Sequence, residues 1–353
     1  MSMLLPALEE PSSIPAAERL QRYPRFRFMG SKYRLAAQLA EIFEDLPPGP
    51  AVDAFSGSGV VAYALKATGR GVVANDHLAF TSTIAEGLVE NDKVQLGPKD
   101  VERICSGNRD GRNFIADTFR GLYFPESDHR FLDAAWSQIA MLRRPKRALA
   151  LSALCLAAAW KQPRGVFTIT SLRYDDGRRQ LRMSLEELFR EAVEIVNGAI
   201  FEGEETSAAI CGDVFELPSD GFAVAYFDPP YAPPKDDTCY IKRYHFLEGL
   251  ATYWKDQEIM WETRTRKLQK RYTPFAYKRS AGPALDDLFG HFEGATLVVS
   301  YGSNAALTKD DLAEMLRRHR SDVDCLEIPH RYAFGTHSNA GRRKVTEYVF
   351  IAR

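Results

Sequence analysis

The sequence predicts an α/β protein built on a doubly wound, Rossmann-like parallel sheet, with a C-terminal antiparallel hairpin and a largely helical insertion. Three observations carry this. Residues 51–75 run strand, glycine turn, helix, strand, which is the first half of a doubly wound sheet. Strand-length apolar runs return at 208–211, 224–227 and 296–300, and two more segments, 331–335 and 345–352, read as a terminal hairpin from the alternation in KVTEYVFIA. Between these halves, residues 85–205 follow a mostly helical period.

Taken in order, residues 1–24 carry Pro6, Pro11, Pro15 and Pro24 around one short helical pattern, and are expected to form an extension, lying on the surface or partly disordered, without chemistry. In the following helix Leu35, Leu39 and Ile42 share one face, and Pro47-Pro48-Gly49-Pro50 stops it. Ala51 to Phe55 is a short buried strand, Gly57-Ser58-Gly59 turns the chain into the helix VVAYALKATG, and Gly71 to Asn75 is the second strand. In the central block KRALALSALCLAAAW and SLEELFREAVEIVNGAIF are strongly helical. The expected organisation is an extension over 1–24, an α/β domain over 25–84 and 206–353, and an inserted helical domain over 85–205.

Composition bounds the function. A chain of 353 residues with 45% hydrophobic and 26% charged residues can bury a large core, which excludes a collagenous or disordered polymer. The five cysteines, at 105, 155, 211, 239 and 325, contain no CxxC pair and read as reduced thiols of a cytoplasmic protein. The opening residues lack a basic region and are broken by Pro6, unlike a secretory signal. The longest nearly apolar run, Ala148 to Trp160, is 13 residues, too short to cross a bilayer, so no membrane partner is expected. His245 and His337 have no metal-ligand spacing with any cysteine and are expected to be surface or core histidines; no metal site is expected.

Two constellations carry chemistry. In the first, Asp53-Ala-Phe55-Ser-Gly57-Ser-Gly59 is followed by Asn75-Asp76. The glycines let backbone approach a ligand closely, and an acid ending the next strand can hold the hydroxyls of a ribose. Taken alone this pattern also fits a dinucleotide fingerprint, Gly57-x-Gly59-x-x-Ala62. The second is Asp228-Pro229-Pro230-Tyr231 after an apolar run. Two prolines cannot continue a ladder, so Asp228 must stand at the carboxyl edge of the sheet, where ligands of such folds bind. Its carboxylate and the Pro229 carbonyl can each accept a hydrogen from an exocyclic amine, and Tyr231 can stack on a base.

On three motifs in order, FMGSK at 28–32, DAFSGSG at 53–59 and DPPY at 228–231, the chain resembles the Dam-type, α-class adenine-specific DNA methyltransferases. The resemblance covers residues 25–353. It implies S-adenosylmethionine as cofactor, held by Phe28, Gly30 and Lys32, by Asp53, Phe55, Gly57 and Gly59 around the methionine part, by Asp76 at the ribose, and by Asp213 and Val214 at the adenine. It implies Asp228, Pro229, Pro230 and Tyr231 as the catalytic tetrad, acting on an adenine flipped out of duplex DNA at a cost of a few kcal/mol. Methyl transfer to an amine needs no covalent enzyme intermediate, and the chain has no Pro-Cys pair of the kind used at cytosine ring carbon. Ser31 departs from the second glycine found in Dam itself. The C-terminal GTHSNAGRRKVTEYVFIAR resembles methylases that accompany type IIS restriction enzymes, so a cognate restriction endonuclease is an expected partner beside DNA.

Overall charge is −1, but it is sorted. Residues 100–182 hold 15 Lys and Arg against 9 Asp and Glu, residues 262–279 hold 7 against 1, and residues 331–344 hold 4 against none. From these stretches Lys161, Arg164, Arg178, Arg179, Lys267, Lys270 and Arg271 are candidate DNA contacts, with Tyr240 and Tyr244 placed to close over a flipped base. The readings set against site-specific adenine-N6 methylation are cytosine-N4 or RNA amine methylation, a nicotinamide-dependent oxidoreductase and a non-catalytic DNA-binding module. Recognition sequence and oligomeric state are left open.

Overall fold

The computed structural model describes residues 14–168, 175, 177–231, 239–332 and 343–353. Its seven strands are β1 (Ala51–Asp53), β2 (Val72–Asp76), β3 (Ala208–Cys211), β4 (Val224–Phe227), β5 (Thr296–Gly302), β6 (Val323–Tyr332) and β7 (Arg343–Ala352). They form one sheet in the order β3-β2-β1-β4-β5-β7-β6. The first five are parallel, whereas β7 runs antiparallel between β5 and β6. Strand order reverses direction between β1 and β4, and the crevice at the carboxyl ends of such a switch point is where doubly wound sheets bind ligands.

Period-two alternation feeds both faces of this sheet. Ala51, Val224 and Tyr226 belong to one core cluster, and Val52, Ala225 and Phe227 to the other. The second face is covered by the helices Lys278–His291 and Lys309–His319. The first face packs on Ala36–Glu44 and Val60–Ala67, and the same cluster extends into the helical block. There the helix Lys146–Trp160 is buried continuously from Ala148 to Ala159, as a helix apolar all round must be. It approaches the segment after helix Ala79–Ala85 so closely that a Cβ on Gly87 would stand 3.3 Å from the Ala148 backbone. The block therefore adds a layer that shares one core with the sheet.

Two expectations need correction. The stretch 14–24 is not a loose extension: helix Ala16–Gln21 buries Ala16 and Leu20, and Tyr23 is 2% exposed. The first strand of the terminal hairpin begins at Val323 rather than at 331. Its residues Asp324, Glu327 and Pro329 disguise it, and β6 tolerates them because it is an edge strand that needs neither two apolar faces nor every backbone N–H. No helix among the described residues is long and apolar enough to cross a membrane.

Candidate active site

The site is a cavity of about 280 Å³ at the carboxyl edge, over the switch point. Its floor is the turn after β1. Gly57 and Gly59 adopt φ of +49° and +77°, conformations that favour glycine, and a Cβ on either would run into the Phe28 ring at 2.9 Å or the Tyr23 hydroxyl at 2.6 Å. Asp76, at the end of β2, pins this turn by accepting the Gly57 N–H at 2.8 Å with Oδ2 and the Leu78 N–H at 2.9 Å with Oδ1. Tyr23 clamps it from behind, donating its hydroxyl to the Ser58 carbonyl at 2.6 Å. The serine that departs from Dam also has a partner: Ser31 Oγ lies 3.1 Å from Ser58 Oγ, so the first motif is stitched to the glycine turn.

Asp53 lies under the turn, 1% exposed, and neither carboxyl oxygen has a hydrogen-bond partner among the described residues. Burial, and then the nearby Asp228, push its pKa well above the usual carboxyl range. The cavity walls are Phe28, which stacks on Tyr244 at 4.9 Å and on Tyr240 at 5.3 Å, then Asp213 with Val214, and on the far side residues 270–277. Asp213 Oδ1 accepts the Phe215 N–H at 3.0 Å, and Phe275 stands edge-on to Phe55 with ring centres 5.0 Å apart. Nine of the ten expected cofactor residues line this one cavity; Gly59 does not, and stands against the Tyr23 hydroxyl behind the turn.

Asp228 follows β4 directly, facing the end of β1, in register where Asp53 pairs with Tyr226. Its Oδ2 receives the Lys32 ammonium at 2.6 Å, and its Oδ1 faces the Tyr231 hydroxyl at 2.9 Å. Lys32 also donates to Tyr231 at 3.0 Å and to the Gly30 carbonyl at 3.3 Å. Lys32, expected on the cofactor side, is thus first a partner of the tetrad. Burial lowers the Lys32 pKa, but Asp228 and Glu347 outweigh it and hold the ammonium charged. Burial raises Asp228 to about 6 against the pull of Lys32, with Glu347 pushing the same way as burial. Pro230 lines the cavity beside it.

Glu347 was not singled out from the sequence. It is 6% exposed, its Oε1 lies 2.6 Å from the Tyr231 hydroxyl and 3.3 Å from the Lys32 ammonium, and it reaches the site because β7 is antiparallel and enters at the carboxyl edge of the parallel strands. A signal existed: Glu347 occupies the same file of β7 as the apolar Val345, Val349 and Ile351. Tyr23 was missed for a different reason, since only the fold brings it to the glycine turn.

The chain matches the sequence pattern of the D12 class N6 adenine-specific DNA methyltransferases over residues 28–293. The chain belongs to that family. Among curated relatives, the type II methyltransferase M2.HphI of Haemophilus parahaemolyticus is 29% identical over 94% of this chain and 98% of its own length. The type II methyltransferase M.FokI of Planomicrobium okeanokoites and the modification methylase StsI of Streptococcus sanguinis are each 22% identical, over 92% and 86% of this chain and about half of their own lengths (52% and 48%). Membership makes the protein an enzyme of site-specific adenine methylation, which takes DNA as substrate and needs a methyl donor.

For a DNA methyltransferase the placement of the basic and aromatic candidates matters. Lys161 is buried, with its ammonium on Asp128 at 2.5 Å and on the Met183 carbonyl at 2.6 Å, so it braces the helical block rather than meeting phosphate. Arg271 pairs with Glu248, itself fully buried, at 3.1 Å and with Gln257 at 2.8 Å, tying the 270–277 wall to the helix Tyr240–Thr252. Tyr244 is 1% exposed and accepts the Met29 N–H at 2.7 Å, which makes it a core support of the first motif rather than a lid. Arg178 donates to the Trp160 carbonyl at 2.7 Å, and Arg179 holds an exposed pair with Glu191 at 2.6 Å. Tyr240 and Lys270 line the cavity, and Lys270 stands 4.7 Å over the Tyr277 ring, which stacks on the exposed Tyr272. Lys267 is half-buried in a short hairpin closed by the Ile259–Leu268 bridge. The Arg164 side chain and His337 lie outside the described residues. His245 is buried, its Nε2 2.9 Å from the Phe167 carbonyl, and burial drives its pKa down to about 4, as befits a neutral core histidine. No group of three or more His, Cys, Asp or Glu among the described residues is placed to hold a metal ion.

Proposed function

We propose that the methyl donor is S-adenosylmethionine, bound in the switch-point cavity, and that Asp228, Pro229, Pro230 and Tyr231 act on the amine of an adenine flipped out of duplex DNA. The observation that carries this is a pair of carboxyl groups, Asp53 buried without a partner and Asp228 part-buried with Lys32 and Tyr231, at one sheet edge in one cavity. The cavity fits a cationic nucleoside: a buried, unsatisfied carboxyl is costly unless it meets a positive group, and Asp53 offers that. Phe28, Gly30, Phe55, Gly57 and Gly59 would enclose the methionine part, Asp76 would accept ribose hydroxyls with its remaining lone pairs, and Asp213 with Val214 would bound the adenine. S-Adenosylmethionine, when bound, supplies the electrophilic methyl group.

The protein's own residues act on the nucleophile. Adenine's amino nitrogen is weak because its lone pair is delocalised into the ring. A carboxylate has about four acceptor positions, of which Lys32 and Tyr231 use two, so Asp228 can also accept one amine hydrogen. The Pro229 carbonyl takes the other, which favours a pyramidal nitrogen with a localised lone pair. Asp228 must be ionised to do this, and Lys32 supports that form. Positioning and electrostatics supply the acceleration.

For DNA we retain Tyr240 and Lys270 at the cavity mouth, with Arg164, Arg178, Arg179 and Lys267 as outer contacts, and withdraw Lys161, Arg271 and Tyr244. A cognate restriction endonuclease and a cytoplasmic setting fit the relatives' type II label. The test is transfer of labelled methyl from S-adenosylmethionine to duplex DNA: Asp228→Ala should abolish it with cofactor binding retained. Transfer unaffected by that substitution would remove Asp228 from the chemistry.

A further inference from the structure

We infer that Glu347 is a positioning residue of the reaction, an alternative acceptor that draws the Tyr231 hydroxyl and the Lys32 ammonium toward itself so that Asp228 stays available to the adenine amine. This rests on the proposed role of Asp228. A tyrosine hydroxyl has one proton and can donate to one acceptor at a time. Tyr231 stands between two, Glu347 at 2.6 Å and Asp228 at 2.9 Å, and Lys32 likewise lies 2.6 Å from Asp228 and 3.3 Å from Glu347. The arrangement is built for this ring: Glu347 pairs across the ladder with Gly302, and any Cβ there would press on Tyr231 Cε2 at 3.0 Å. Without Glu347, Asp228 is the carboxylate left to both ammonium and hydroxyl among the described residues, and their tighter hold would turn it from the amine and weaken its remaining lone pairs as acceptors.

The charged and titratable groups around Asp228 are Lys32 from the first motif, Asp53 ending β1, Tyr226 on β4, Tyr231 of the tetrad and Glu347 on β7. Of these, Glu347 is the acid that touches both partners of Asp228. Removing its charge leaves Lys32 to stabilise ionised Asp228 unopposed, so the pH at which activity fails should fall.

The experiment compares full-length protein with Glu347→Gln, which keeps size but replaces a charged acceptor by a weaker neutral one, and with Asp228→Ala. It uses methyl transfer to duplex DNA across pH, S-adenosylmethionine binding by calorimetry, and thermal melting. For Glu347→Gln we expect kcat to fall roughly 10- to 100-fold, as misplacement of a reacting group does, while cofactor affinity and melting temperature stay close to the parent. The acid limb of its pH profile should move below that of the parent. An unmoved acid limb, or a joint loss of turnover, cofactor affinity and melting temperature, would make Glu347 a structural acid and overturn the inference. Undiminished transfer by Asp228→Ala would instead strike the reading of the tetrad, and the two failures are separable.

Discussion

Asp53 is a carboxyl group in a place that penalises carboxylates, buried, unbonded and close to a second acid. Its raised pKa means that it holds a proton more tightly than a free acid, and a cation placed beside it would pull that pKa down. Binding of S-adenosylmethionine should therefore release a proton, and tighten as pH rises toward the raised pKa of Asp53. Calorimetry in buffers of different ionisation enthalpy measures this; heats independent of buffer would deny Asp53 the role. Asp53→Asn should lose the proton release together with affinity. Asp228 gives a second pH signature: raised to about 6, it is ionised above that value and protonated below, so the methylation rate should fall as pH drops through about 6. A rate flat from pH 5 to 8 would mean that its ionisation does not matter.

At the scale of elements, the glycine turn is held by three others: β2 through Asp76, the first motif through Phe28 and Ser31, and the chain before it through Tyr23. Gly59→Ala adds both the left-handed backbone penalty, about 1–2 kcal/mol, and a collision with Tyr23. It should lower the melting temperature and cofactor affinity together; a variant as stable as the parent would show the turn to be adaptable. Lys161→Met leaves Asp128 buried and unpaired, and should cost about 3–5 kcal/mol of stability without changing the salt dependence of DNA binding. Lys270→Ala should reduce that slope by about one, whereas Arg271→Ala should not. Equal slopes for Lys270→Ala and the parent would take residue 270 out of the interface.

Much of this was legible in sequence because the chemistry is local there. Asp53, Gly57, Gly59 and Asp76 are set by a strand, a turn and a second strand, and the prolines after Asp228 end β4 wherever it packs. What was hidden depends on pairing. Glu347 meets Tyr231 and Lys32 only because β7 runs antiparallel beside β5, a register that no short window contains. Lys161 and Arg271 look like free cations until their acids, 33 and 23 residues away, fold onto them.

Across the whole molecule, net charge and its segment sums both mislead about DNA. Part of the basic surplus of residues 100–182 is engaged by acids outside the stretch, Arg144 by Glu86 and Glu90 and Arg179 by Glu191, while Lys146, Arg112 and Lys161 are held by acids within it. What the fold does concentrate is one cavity at the switch point of a mixed sheet, with Asp53 and Asp76 at the ends of β1 and β2 on one side and Asp228 after β4, with Glu347 of β7 near it, on the other. The account stands or falls on Asp228 doing chemistry on adenine. Sequencing DNA for modified bases in cells expressing the parent or Asp228→Ala tests this most directly. The expected result is N6-methyladenine confined to one sequence motif with the parent and absent with the variant; no methyladenine from the parent, or the same methylated motif from the variant, would contradict it.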